Sequence, residues 1–207
     1  MFVAVDYFIA DFRFSFLLFL IVMLCSMAAF KFPRLLFNLC IHPPSIWKRQ
    51  EYYRIFTGDL VHNDQRHLFF NLFMMWAFCI GLEDQLMKMG DRGQLQFLII
   101  YIVSMLSGNL YIAIRHRNKQ QYTSVGNSGS IMGCMFACML LNPLTPLLYI
   151  PYVGGIPNIY SGLLYILFTL WRSKRKEKIN FELHIAGALG GTIAALCLFP
   201  DILLEAL

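Results

Sequence analysis

Charge is what this chain has least of. Only 14% of its 207 residues are Asp, Glu, Lys or Arg, against 58% that are hydrophobic. Soluble domains carry about 25% charged and about 45–50% apolar residues. From Gln120 through Trp171 no charged residue occurs, and the mean hydropathy of +0.58 agrees. This scarcity excludes a soluble enzyme, a disordered chain and a nucleic-acid binder. The net charge of +5 reads as loop charge, not as a phosphate-binding surface. The six cysteines include no C-x-x-C spacing. Cys134 and Cys138 stand alone, one helical turn apart, and buried thiols pack as small hydrophobes. Disulfides and a cysteine metal site are therefore not expected. Nowhere is there room for a sizeable extramembrane domain, so residues 1–207 read as a single membrane domain.

What the chain does have is a series of apolar runs. About 120 apolar residues at about 20 per crossing give roughly six spans. The runs fall at about 14–30, 67–82, 95–114, 128–141, 157–171 and 184–199. The first follows a segment whose charges are Asp6, Asp11 and Arg13, without the net positive charge that leads a signal peptide, and it is long enough to span, so it reads as a retained helix. Pro143, Pro146, Pro151, Gly154, Gly155 and Pro157 divide the fourth run from the fifth. Lys31 to Arg66 is too polar to cross, with Pro33, Pro43, Pro44, Trp47, Tyr52 and Tyr53 among six basic residues. Such a segment lies in the membrane interface. The expected fold is an all-α membrane protein, a bundle of six transmembrane helices with a long interfacial loop between helices 1 and 2.

Polar residues inside a membrane are costly and are functional candidates by default. Here they gather at the N-terminal ends of the even-numbered spans. Span two opens on His62 to His67, with Asn71 one turn deeper; span four opens on Gly126-Asn127-Ser128-Gly129; span six opens on Asn180 to His184. Six antiparallel crossings put all three ends on one side. Span four then carries Gly129, Gly133 and Ala137, and span six carries Gly187, Gly191 and Ala195. Small residues at four-residue intervals let membrane helices approach closely. Their contact would bring the Ser128 hydroxyl and the His184 imidazole within hydrogen-bond reach, which is what a histidine-activated serine needs. A serine at a helix start also has unsatisfied backbone N–H groups near a developing oxyanion. His67 and Asn71 share a helix face and could add side-chain donors. Glu182 should point away from His184, leaving a two-membered dyad. Ser124 and Ser130 remain alternative nucleophiles, and Arg54 with Glu83 reads as a structural ion pair holding the interfacial loop to span two. Spacing alone leaves a small transporter open as well.

The motifs resemble those of the rhomboid intramembrane serine proteases. Gly126-Asn127-Ser128-Gly129 resembles that family's G-x-S-G. His184-Ile185-Ala186-Gly187, followed by Gly191, resembles its H-x-x-G-x-x-x-G, and His67 with Asn71 its H-x-x-x-N. Tyr53-Arg54 stands where rhomboids usually have Trp-Arg, and Gly81-Leu82-Glu83 matches the end of the second helix. The resemblance runs in the family's order from about Arg54 to Ala195. It implies a rhomboid-like six-helix core that hydrolyses peptide bonds in or near transmembrane segments of protein substrates in the lipid bilayer, without metal or cofactor. It implies Ser128 as nucleophile and His184 as general base and then acid. His67, Asn71 and the Ser128 N–H would form the oxyanion site. Arg54, Glu83, Gly126, Gly129, Gly133, Gly187 and Gly191 would be structural, and span five a mobile wall admitting substrate laterally. Asn127, Met132 and Tyr53 depart from the common pattern without removing a catalytic atom. A catalytically silent binder or chaperone of membrane proteins with the same fold is the alternative.

Orientation sets two rules against each other. Fourteen of the seventeen Lys and Arg residues lie on the side of the polar cluster, which by the positive-inside rule faces the cytoplasm. Bacterial rhomboids resembling this chain open outward. Arginines in an interfacial loop report topology poorly, so the expectation follows the family: a bacterial inner membrane, with the site near its extracytoplasmic face.

Overall fold

The computed structural model describes residues 13–150, 152, 154–174 and 180–202. Asp6, Asp11 and residues 175–178 of the basic run lie outside them. Helix α1 is Phe14–Lys31, and the loop after it holds three short helices, α2 (Pro33–Leu39), α3 (Pro43–Lys48) and α4 (Arg54–Thr57), then a 3-10 turn at Gly58–Leu60. Pro33 and Pro43 stand in the first turns of α2 and α3, where the missing N–H has no intrahelical partner to lose. Asp64 starts α5 (Gln65–Met74), its carboxylate accepting the His67 N–H at 2.9 Å. The helix widens into a π segment at Met75–Ile80 and resumes as α6 (Gly81–Met89). Then come α7 (Gly93–Arg115), α8 (Ser128–Leu141), β1 (Pro146–Ile150), β2 (Gly154–Pro157), α9 (Asn158–Lys174) and α10 (Phe181–Leu198).

Helices thus occupy each of the apolar runs. By length and composition α1, α7 and α10 are long and apolar enough to cross a membrane, whereas α8 and the apolar part of α9 are shorter. Two features of the backbone were not expected. The π segment interrupts the second run near the point where Asn127 Nδ2 donates to Met75 Sδ at 3.3 Å. The Pro/Gly-rich break after α8 forms an antiparallel hairpin, β1 against β2, instead of an irregular loop. The Arg54–Glu83 ion pair is corrected. Arg54 donates to the carbonyls of Phe37 (2.6 Å) and Cys40 (3.0 Å) and pairs with Glu51. Glu83, fully buried, accepts the N–H groups of Phe14 (3.0 Å) and Ser15 (2.9 Å). A carboxylate there satisfies unpaired donors at the positive end of α1, while Arg54 is taken up by loop carbonyls and Glu51.

The core sits where α10 packs against α7 and α8. At their glycines, α8 and α10 meet backbone against backbone. A Cβ on Gly187 would fall 2.3 Å from the Gly129 carbonyl oxygen, and one on Gly191 would fall 2.4 Å from Gly133 Cα. Gly133 in turn admits Ser104 of α7, whose Oγ lies 1.9 Å from where a Cβ would stand. Replacing Gly191 with Leu should therefore force the helices apart. Overpacking of this kind costs about 1–3 kcal/mol, to be read as a lowered melting temperature in detergent. Leu189→Ala, at a residue 57% exposed on the same helix, should leave it nearly unchanged.

Candidate active site

The approach to Ser128 is held from two directions. Ser124 exchanges both backbone hydrogen bonds with Ile41 in the loop after α1, and the Gly126 N–H donates to the Gly58 carbonyl at 2.9 Å. Gly126 has φ +101°, a conformation that favours glycine. A Cβ there would also meet His67 Cε1 at 2.9 Å and Asn71 Nδ2 at 3.3 Å. Its absence lets α5 close on the turn that begins α8. Ser128 is the first residue of that helix.

On the other flank, α10 carries His184 one turn in from its start. The glycine contact fixes the helix separation, and Leu183 seats against Gly129. Ser128 Oγ and His184 Nε2 stand 2.7 Å apart. Both residues are buried, 9% and 5% exposed. The histidine ring lies 6.1 Å from the Tyr165 ring, tilted by 48°. Its Nδ1 has no hydrogen-bond partner among the described residues. Glu182 is directed elsewhere, 3.4 Å from His116 Nε2 and 3.9 Å from Arg115, as its position two residues before His184 implied. The two rival serines are engaged: the Ser130 hydroxyl donates to Asp59, and Ser124 Oγ accepts from Asn180 at 3.1 Å.

Asn71 is oriented by a chain that the sequence did not disclose. Its Nδ2 donates to His62 Nε2 at 2.8 Å. His62 Nδ1 is 2.9 Å from Ser26 Oγ, which donates to the Leu60 carbonyl at 3.1 Å. Read in sequence, these bonds require the Nδ1–H tautomer of a neutral imidazole. Burial, with the His67 ring 4.8 Å away, lowers the His62 pKa to about 3. His62 was visible only as one of six polar residues at the mouth of span two; no spacing rule links it to Ser26. Beside His184 an apolar cavity of about 410 Å³ opens between α8, α9 and α10, walled by Met132, Phe136, Ile166, Phe181 and Leu189.

Because the folded state keeps His62 neutral while an unfolded histidine titrates near 6.5, acid favours unfolding as pH falls below about 6.5. Nitrogen-15 spectra of labelled histidine should show His62 as neutral Nδ1–H at pH 5. A charged imidazolium at that pH would contradict the chain of bonds.

With this geometry in place, comparison with known proteins gives one family. The model described as Rhomboid domain matches residues 49–201. Rhomboid protease GluP of Bacillus subtilis is 27% identical over 154 residues, covering 74% of this chain. YdcA of the same organism, also named for the rhomboid proteases, is 26% identical over 172 residues, covering 76% of this chain. The chain spans 27% of the length of GluP and 78% of that of YdcA.

Proposed function

The chain belongs to the rhomboid family and is an integral membrane protein, and on that premise we propose that it is an intramembrane serine endopeptidase working through a Ser128–His184 dyad. The observation that carries this reading is the 2.7 Å contact between Ser128 Oγ and His184 Nε2. In the first step His184 Nε2 takes the hydroxyl proton as Oγ attacks the scissile carbonyl. The carbonyl oxygen becomes an oxyanion beside the Ser128 N–H, at the positive end of α8. One Asn71 N–H is held by His62, which leaves the other for that oxyanion; His67 lies against the same turn. Collapse transfers the histidine proton to the leaving amine. Water, activated by the same imidazole, then releases the acyl group. Buried His184 needs no carboxylate, because the glycine contact and the Tyr165 ring already fix its position.

The substrate in this reading is a transmembrane segment of another protein. The cavity beside His184 is apolar and suits an apolar side chain near the scissile bond. All six helical runs cross the bilayer, the loop carrying α2 to α4 lies in the interface, and α9 is the wall that moves aside for substrate. The site faces outward from a bacterial inner membrane, as the family resemblance implies.

Ser128→Ala and His184→Ala should each abolish both cleavage of a reporter transmembrane segment in proteoliposomes and labelling by a fluorophosphonate. Asn71→Ala should lower kcat by about 10²-fold, the usual cost of one oxyanion donor. A wild type that is never labelled, and binds membrane segments regardless of Ser128→Ala, would make the chain a silent binder. Solute flux indifferent to the probe would make it a transporter.

A further inference from the structure

Asp59 is a carboxylate that pairs with no cation among the described residues. It lies in the 3-10 turn Gly58–Leu60 and is 2% exposed. Its Oδ1 accepts from Asn109 Nδ2 of α7 at 2.8 Å, and its Oδ2 accepts from the Ser130 hydroxyl of α8. The Asn109 amide also donates to the Ile55 carbonyl at 2.7 Å. One residue earlier in the same turn, the Gly58 carbonyl holds the Gly126 N–H. A single buried side chain thus fastens the interfacial loop to α7 and to the first turn of α8, two residues beyond Ser128. Near it, α7 contributes the buried Tyr101. From α8 comes the neutral Ser130, and in the loop Arg54 is directed to Phe37, Cys40 and Glu51.

Resting on the protease reading above, we propose that Asp59 is a positioning residue for the nucleophile. Its ionised carboxylate keeps the Ser128 turn seated on the interfacial loop, and its protonation loosens that turn and slows the enzyme. Both neighbours donate to the ionised carboxylate, which makes both bonds charge-assisted and the stronger for it. A proton on Oδ2 reverses the Ser130 bond: the carboxylic O–H donates, the serine oxygen accepts, and the serine's own hydrogen loses its acceptor. The tie between α8 and the loop weakens to a neutral hydrogen bond. Burial raises the Asp59 pKa to about 6, against the bonds from Ser130 and Asn109 that lower it, so the change falls within an accessible pH range.

The test uses the full chain in proteoliposomes, with kcat and KM for the reporter substrate measured from pH 5 to pH 8. Dividing wild-type kcat by that of Asp59→Asn cancels the titration of His184, which the two share. The ratio should be about tenfold at pH 8, the order expected for a hydrogen bond to a charged group, and approach one at pH 5, with KM unchanged. Ser130→Ala removes one contact without altering charge and should give a ratio that narrows in the same way. It decides the matter if Asp59→Asn fails to fold. A ratio of one throughout, or one independent of pH, would overturn the positioning role. Fluorophosphonate labelling of the wild type at pH 8 separates the two readings. Its absence defeats the protease, whereas labelling with a flat ratio defeats only Asp59.

Discussion

Everything at the candidate site depends on two helices meeting backbone against backbone at their glycines. The Gly129 and Gly133 backbone of α8 lies directly on that of Gly187 and Gly191 of α10. In a bilayer, apolar side chains gain little by leaving lipid, so helix association rests on close packing and interhelical hydrogen bonds. Glycine gives the closest packing available. It also fixes the helix separation so tightly that Ser128 and His184, one at each helix start, fall 2.7 Å apart. The Ser128–His184 contact is a consequence of packing, and among the described residues no third group hydrogen-bonds the imidazole.

A second set of constraints comes from the interfacial loop. It pairs with Ser124 through Ile41, with Gly126 through Gly58, and with Ser130 through Asp59. The loop therefore holds the segment around Ser128 from before and after it, while α10 holds it from the side. Arg54 acts within the loop itself, closing the Phe37 and Cys40 carbonyls. Buried polar groups in such a setting are costly unless satisfied. Most of them are here, which makes the loop a rigid part of the site despite its lack of long helices.

Much of this was legible from residue order alone. Apolar runs gave the helices, since a run of apolar residues has few other fates in a membrane protein. The two small-residue stripes gave the α8–α10 contact, because their spacing matches one helix face. What periodicity could not give was the choice of partner for each isolated polar side chain. Glu83 caps α1 from 68 residues away, Asp59 meets Ser130 across 71, and His62 meets Ser26 across 36. Those pairings follow from the path of the loop, which no local rule predicts. The π segment and the hairpin escaped for the same reason: each depends on neighbours such as Met75 with Asn127 and Leu147 over Gly81.

On the proposed mechanism, packing delivers one serine to one histidine beside a site for an oxyanion. A structure of the chain after reaction with a serine-directed phosphonate tests it most directly. Phosphorus should be bonded to Ser128 Oγ, with His184 Nε2 still within hydrogen-bond distance of that oxygen and the phosphoryl oxygen directed at Asn71 and the Ser128 N–H. An adduct on Ser124 or Ser130, or a phosphoryl oxygen turned away from Asn71, would contradict it.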